Sequence, residues 1–161
     1  TYYQLQPVVS EVQEKYLEEG IGRELMQYMV AAEAPAADEQ YIIALLKKAL
    51  AYFTIKEACV QLPVRISDSG LTVAGDYTDK DTDDGGRLGA TAAMIEKLQT
   101  NSETEGQNYL SKARGELYKY SKKGTASAPF MEAFAAGVMS GYVPRSDRTS
   151  GNESRNFFVM G

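Results

Sequence analysis

Histidine is absent from the 161-residue chain. Its absence removes the commonest general base, the usual transition-metal ligand and every nucleophile pair of the Ser–His or Cys–His type. The single cysteine, Cys59, excludes an internal disulfide and is expected to be a small buried hydrophobe in an apolar helical stretch. Neither phosphate-binding glycine motif, GxxxxGK[ST] or GxGxxG, occurs. The sequence therefore predicts no enzyme, no cofactor and no catalytic residue.

Long apolar runs and a strong positive charge are also missing. No run approaches the ~20 residues that span a bilayer, and no signal peptide is recognised. The net charge of −5 gives no overall electrostatic case for nucleic-acid binding. Hydrophobic residues at 43% and charged residues at 24% are ordinary for a soluble globular protein. We therefore expect a soluble protein with one main domain and no membrane partner.

Helical periodicity dominates the first part of the chain. Apolar residues recur at spacings of three and four between Leu5 and Tyr16, with Pro7 in the first turn. Gly20 breaks this pattern, which then restarts. Asp38 is predicted to be the N-cap of the next helix, over about residues 39–60, whose broad apolar face is typical of a central core helix.

A second helical region begins near Arg87 and ends near Gly124. Its middle is polar and contains Gly106, so the pattern fits either one long helix or two helices with a break. We interpret it as one long helix. A last short helix follows, with Phe130 and Phe134 as its apolar residues.

Between the two helical regions, residues 62–74 change to an alternating pattern. Two short alternating runs flank a turn, which predicts a β-hairpin with Asp68, Ser69 and Gly70 at its tip. An isolated two-stranded hairpin is marginal in water, so it is expected to pack on helices or on another subunit. The predicted fold class is mainly α: a helical bundle with one small β-hairpin and an extended C-terminal arm.

An acidic loop, residues 75–86, follows the hairpin and contains the sequence "DYTDKDTDDGG". If Asp79 takes the first ligand position of a calcium-binding EF-hand, Asp84 falls where glycine is required. Ala90 then falls where the bidentate glutamate is required. We therefore interpret the segment as a solvated acidic loop and predict no metal site. A weak cation site remains the alternative.

Three lysines form a stripe on the long helix, because Lys112, Lys119 and Lys123 fall within about 40° on a helical wheel. One interpretation is a solvated face, with cations favoured near a helix C-terminus. The other is a contact for an acidic protein surface or a nucleic-acid backbone.

Composition changes after residue 142, which divides the chain into a helical domain, 1–142, and an arm, 143–161. The arm is rich in Ser, Arg, Asn and Gly and cannot form a core. It also carries an apolar run, "FFVM", at residues 157–160. An arm that docks on a neighbouring subunit would explain why a polar spacer is followed by an apolar run. Folding back onto its own domain is the competing account.

Two blocks of the sequence resemble a known family. The first is "LQPVVSEVQEKYLEEGIGRELMQYM", in which an amphipathic helix leads to a Gly-x-Glu-Leu motif. The second is "ALAYFTIKEACVQLPVRISDSGLTV", an Ala- and aromatic-rich helix with a Glu-Ala pair followed by the hairpin. Over roughly residues 2–120 the chain is similar to head–tail connector proteins of Bacteroidetes phages and prophages, which are also called head-completion proteins or portal adaptors.

The resemblance implies a structural virion protein at the head–tail junction, assembled in the cytoplasm of the bacterial host. Such a protein would form a homo-oligomeric ring, a dodecamer by family analogy, that binds the portal protein and tail components and lets DNA pass. The residues expected to contact partners are Asp68, Ser69, Gly70, Lys112, Lys119, Lys123, Arg145, Arg148, Phe157 and Phe158. The alternative function is a soluble helical binding module whose acidic loop binds a cation weakly. An enzyme that pairs Glu57 with an aspartate of the loop is a third hypothesis.

Overall fold

Helices make up most of the computed structural model, which describes residues 2–61, 64–67, 70–73 and 85–144. The mainly α class is therefore confirmed. The helical elements are α1 (Tyr2–Val12), a π-helical segment (Gln13–Glu18), α2 (Glu19–Ile21), α3 (Arg23–Ala31), α4 (Ala37–Gln61), α5 (Gly85–Lys122), α6 (Ala128–Ala136) and a 3₁₀ turn (Val138–Gly141).

Two strands lie between α4 and α5. Strands β1 (Val64–Ser67) and β2 (Gly70–Val73) pair antiparallel, and Ile66 faces Leu71 across the pair. Gly70, predicted at the tip of the hairpin, is the first residue of β2. Asp68 and Ser69 lie outside the described residues.

The first helical break falls at Gly22 rather than at the predicted Gly20. Gly22 has φ +96°, a left-handed conformation that glycine adopts without steric cost. A Cβ at this position would also lie 3.2 Å from the Cα of Gly137. Gly20 instead lies inside α2. Because α1 already begins at Tyr2, Pro7 lies beyond the first turn in which it was predicted.

The start of α4 differs from the prediction as well. Asp38 lies within the first turn of the helix and is not its cap. Instead, the Glu39 carboxylate accepts a hydrogen bond of 2.9 Å from the backbone N–H of Ala36, the residue that precedes the helix. A glutamate that reaches back in this way is one half of a capping box. The prediction placed the cap correctly at the N-terminus of α4 but chose the wrong side chain.

Helices α4 and α5 pack antiparallel along most of α4. Asp38 at the start of α4 meets Lys123 beyond the end of α5, and Lys56 near the end of α4 meets Glu103. Helix α5 is continuous from Gly85 to Lys122, so the interpretation as one long helix is confirmed. The antiparallel register places the part of α5 that precedes about residue 98 beyond the end of α4. Two apolar side chains at this end are exposed, Val60 and Met94.

The core lies where α1, the π-helical segment, α3, α4, α5 and α6 meet. Its largest fully buried side chains include Phe53 and Phe130. The predicted apolar residues of α6, Phe130 and Phe134, are both buried. Cys59, predicted to be buried, is only partly covered, because it lies close to the end of α4.

Candidate functional site

Two glutamates on α4 are buried, and they are the first candidates for chemistry. Glu39 is 4% exposed and Glu57 is 6% exposed. They lie eighteen positions apart on one helix, which is about 27 Å at 1.5 Å per residue. Cooperating catalytic carboxylates lie within about 10 Å of each other. The two glutamates therefore do not form a catalytic pair.

Glu57 is bound by two side chains of the π-helical segment. The Lys15 ammonium lies 3.0 Å from its Oε1, and the Tyr16 hydroxyl donates a hydrogen bond to the same oxygen. Lys56 donates to the Tyr16 hydroxyl at 3.2 Å and pairs with Glu103 at 2.8 Å. Burial pushes the pKa of Glu57 upward, but the hydrogen bonds from Tyr16 and Lys15 and the nearby positive charges outweigh burial and lower that pKa. Glu57 is thus a stabilised carboxylate, poorly suited to accept a proton at neutral pH.

The π-helical segment explains how consecutive residues reach one carboxylate. Lys15 and Tyr16 both lie in it, and the wider turn of a π-helix changes the direction in which successive side chains point. The Tyr16 ring also stacks on Phe53 of α4, with centroids 4.2 Å apart and planes 5° apart. Short π-helical segments often occur at functional sites. Here the segment joins the first helix to α4.

Glu39 holds a second network at the other end of α4. Its Oε1 accepts hydrogen bonds from the hydroxyls of Tyr28 at 2.8 Å and Tyr120 at 3.3 Å. The Tyr28 hydroxyl also lies 3.0 Å from the hydroxyl of Ser127, which caps α6. Burial, together with the neighbouring Glu39 carboxylate, raises the pKa of both tyrosines. This network joins α3, α4, α5 and the start of α6.

An enzyme that uses Glu57 would need a second catalytic carboxylate nearby. In the described part of the chain, no other carboxylate lies beside Glu57 to serve as that partner. Both buried carboxylates accept hydrogen bonds from the protein itself: Glu57 from an ammonium and a hydroxyl, and Glu39 from two hydroxyls and a backbone N–H. Burial raises the pKa of the Cys59 thiol, which disfavours the nucleophilic thiolate. Over the described ranges, no three Cys, Asp or Glu residues come close enough together to hold a metal ion. The aspartates of residues 76–84 lie outside the described residues.

The three lysines of the stripe are exposed, two on α5 and Lys123 just beyond its end, and their charges have partners within the chain. Lys119 pairs with Glu116 at 2.8 Å, and Lys123 pairs with Asp38 at 2.8 Å. The Lys112 ammonium lies 5.3 Å from the centroid of the Tyr109 ring. Two of the three lysines are therefore already neutralised locally. A contact between this stripe and a partner stays a prediction.

The other residues predicted to contact partners cannot be placed. Arg145, Arg148, Phe157 and Phe158 lie outside the described residues, as do Asp68, Ser69 and most of the acidic loop. Their roles stay predictions.

An apolar groove lies on the described surface. It lies between the π-helical segment, α3 and α4, and it has a volume of about 390 Å³. Its floor consists of Leu17, Met26, Met29 and Leu46, and Val30 and Lys47 lie at its rim. Val30 is 68% exposed. We use the name apolar groove for the surface that these residues form.

A shallower depression of about 190 Å³ adjoins the apolar groove and shares Gln13, Met26 and Val30 with it. The two methionines on the floor have flexible, polarisable side chains that adapt to different apolar partners. An apolar, mostly preformed concavity of this kind binds apolar groups. Lys47 at the rim is the one titratable side chain among its lining residues. The geometry therefore indicates a binding surface.

The sequence did not single out the apolar groove. Met26 and Met29 follow the helical spacing of α3, which only identifies them as packing residues. The one signal in the sequence was the width of the apolar face on α4, since Ile43, Leu46 and Leu50 belong to that face and line the groove. Only the tertiary arrangement of the π-helical segment, α3 and α4 shows which part of that face stays open.

Comparisons with known proteins bear on the family and leave the function open. None of the described helices combines the length and the apolar character needed to cross a membrane. Comparison with curated proteins and with solved structures finds no match. One family model matches residues 4–128 and is described as a family of unknown function, DUF6712. Because this match covers well over half of the 161 residues, the chain belongs to the DUF6712 family.

Proposed function

We propose that the protein is a structural assembly subunit, and more specifically a subunit of a phage head–tail connector ring that binds the portal protein and tail components. The observation that carries the proposal is the apolar groove, an open concavity of about 390 Å³ with an apolar floor. Exposed apolar concavities commonly mark protein–protein contacts. In this proposal the groove is filled by another subunit.

The interior of the domain supports assembly over catalysis. Both buried glutamates hold helices together: Glu57 joins the π-helical segment to α4, and Glu39 joins α3, α4 and α5. Carboxylates that are hydrogen-bonded between helices hold those helices in fixed positions. A domain held in this way can present the same surface to each neighbour around a symmetry axis.

The end of the molecule beyond α4 offers a second surface for contacts. The first part of α5 extends past α4, and the β1–β2 pair lies in the chain between them. Val60 is 65% exposed and Met94 is 58% exposed at this end. In a ring, a projecting helix and strand pair would meet neighbouring subunits or the portal.

The identification of the particle as a phage rests on the sequence resemblance. The Gly-x-Glu-Leu motif that contributes to it has a structural basis, because Gly22 supplies the left-handed turn between α2 and α3. Ring formation, twelve copies, the portal and tail partners, and a place in the virion all belong to the proposal.

Two measurements test the proposal on the full chain. Light scattering across a range of protein concentrations measures the mass in solution, and electron microscopy of the same sample shows whether rings form. We expect species much heavier than the 17.7 kDa chain and closed rings in images, by analogy with about twelve copies. Antibody labelling of phage particles should then place the protein at the head–tail junction.

A monomer at all concentrations, together with particles that carry no label at the junction, would contradict the proposal. Label on another part of the particle would retain a structural role and reject the connector. The alternative of a cation-binding module would be supported if Ca²⁺ released heat in isothermal titration.

A further inference from the structure

We propose that the apolar groove binds residues 157–160 of a second copy of the chain. This inference rests on the proposed function, because it names the contact by which one subunit holds the next. It assigns an occupant to a surface that is open in the single chain. Val30 at the rim and Met26 and Met29 on the floor form the receiving side.

The phenylalanines supply the first argument. The chain has five, and Phe53, Phe130 and Phe134 are all buried in the core. The other two, Phe157 and Phe158, are followed by a valine and a methionine, which makes four consecutive apolar residues. Leaving such a run in water is unfavourable, and the apolar groove is a concavity of about 390 Å³ with an apolar floor that could cover it.

The chain between the core and this run supplies the second argument. Residues 145–156 contain only Arg, Asp, Glu, Asn, Ser, Thr and Gly, so none of them competes for an apolar site. From Pro144 to Phe157 there are thirteen steps, which span at most about 45 Å when extended. That reach exceeds the roughly 15 Å radius of gyration expected for a domain of this size. Residues 157–160 can therefore reach an adjacent subunit.

The direction in which the described chain ends favours a second copy over the same copy. The last described residues pack on α5: the Tyr142 ring lies 4.5 Å from the Arg114 guanidinium and contacts the Tyr118 ring edge-on. The apolar groove is lined by the π-helical segment, α3, the following turn and α4, with no residue of α5 or α6. The chain thus leaves from one face and the groove opens on another. A contact between different faces of two copies is heterologous and can close into a ring.

Disulfide trapping between two different variants tests the inference. Both variants carry Cys59→Ser, which removes the native thiol. One also carries Val30→Cys at the rim of the groove, and the other carries Asn156→Cys next to Phe157. Val30 is exposed and Asn156 lies outside the described residues, so neither substitution removes a described core contact and both proteins should fold. Mixed at equal concentration and oxidised mildly, they should give a two-chain product in which mass spectrometry finds the bond between positions 30 and 156.

Two controls make the result specific. Val60→Cys replaces Val30→Cys in the first, because Val60 is 65% exposed, close to the 68% of Val30, and lies outside the groove. It should give little product. In the second, Phe157→Ser and Phe158→Ser are added to the Asn156→Cys chain. The product should then fall by about tenfold or more, since the two anchoring rings are lost.

Three outcomes would overturn the inference. The first is no bond between positions 30 and 156 in the mixture. The second requires a third variant that carries Val30→Cys and Asn156→Cys on the same chain. If the bond forms only within this variant, residues 157–160 fold back on their own domain. The third is a product unaffected by the two serine substitutions. Light scattering of the unsubstituted chain separates this failure from that of the proposed function: an oligomer without the trapped bond rejects the groove contact and retains assembly.

Discussion

At the scale of single residues, tyrosine hydroxyls allow two carboxylates to be buried. A buried carboxylate without partners is strongly unfavourable, so each needs donors that replace water. Tyr16 and Lys15 supply them for Glu57, and Tyr28 and Tyr120 supply them for Glu39. Because a tyrosine contributes both a hydroxyl and a large apolar ring, it can satisfy the carboxylate and still pack in the core.

Tyr16→Phe tests this arrangement with the least change in shape. The phenylalanine keeps the stacking on Phe53 and removes one donor to Glu57. We expect the free energy of unfolding at pH 7 to fall by about 1–3 kcal/mol, the usual cost of leaving a buried acceptor short of a partner. Chemical denaturation followed by circular dichroism measures this change.

The pH dependence and a matched variant check the cause. The pKa of Glu57 is lowered in the folded protein, so its carboxylate stabilises the fold above its unfolded pKa of about 4.3, and this stabilisation is lost as the pH falls through the lower folded value. The difference between wild type and Tyr16→Phe should therefore shrink below about pH 4. Tyr52→Phe is the control, since the Tyr52 ring stacks on Tyr109 and no hydrogen bond of its hydroxyl is found among described residues. Equal losses in the two variants would reject the explanation.

At the scale of elements, a glycine lets α4 and α5 approach closely. Gly106 is buried in the middle of α5, and a Cβ there would lie 2.8–2.9 Å from three atoms of the Phe53 ring. The same ring stacks on Tyr16 of the π-helical segment. Phe53 therefore joins three helices, and Gly106 provides the space for its ring.

Gly106→Ala should destabilise the protein although alanine favours helices. The added methyl group overlaps a ring that Tyr16 already holds in place, and overpacking of this kind costs about 1–3 kcal/mol. This cost exceeds the gain of about 0.5–1 kcal/mol that alanine brings to a helix interior. Thermal unfolding should show a lower midpoint than in wild type.

Gly115→Ala is the matched control in the same helix. Apart from its own helix backbone and chain neighbours, a Cβ at Gly115 would meet no described atom within 4 Å, so we expect the helical preference to dominate. We expect stabilisation by about 0.5–1 kcal/mol. If both substitutions shift the unfolding midpoint in the same direction, the close contact between Gly106 and Phe53 does not control stability.

At the scale of the whole molecule, the described core is complete without residues 145–161, and its apolar groove remains open. Deleting these residues should leave the unfolding midpoint within about 4 °C of wild type, because no described core contact is removed. Self-association should be lost if residues 157–160 form the contact between copies. Circular dichroism melting and light scattering measure the two effects on the same sample.

The opposite pattern would be equally informative. A large drop in the unfolding midpoint would mean that residues 145–161 cover their own domain. Self-association that persists in the shortened chain would place the main contact elsewhere, for example on the projecting part of α5 near Met94.

Helical periodicity was enough to predict the existence and approximate length of the long elements. The apolar spacing of residues 39–60 and the long pattern from Arg87 correspond to α4 and α5. The predicted position of the first helical break and the predicted cap of α4 were wrong. At both places the structure shows contacts that the local pattern does not reveal. Gly22 turns the chain where the backbone of Gly137 lies close to it, and Glu39 rather than Asp38 caps α4 while it also binds Tyr28.

The sequence by itself determined the mainly helical class, because the spacing of apolar residues is a local property of each segment. Its composition also determined that no histidine can take part in chemistry. The tertiary structure decided which residues meet: Glu57 with Tyr16, Gly106 with Phe53, and α3 with α4 around the apolar groove. Glu57 and Tyr16, like Gly106 and Phe53, are separated by long stretches of chain, whereas α3 and α4 follow each other closely. Their meeting depends on how whole helices pack, since the spacing along one helix fixes a face but does not choose what covers it.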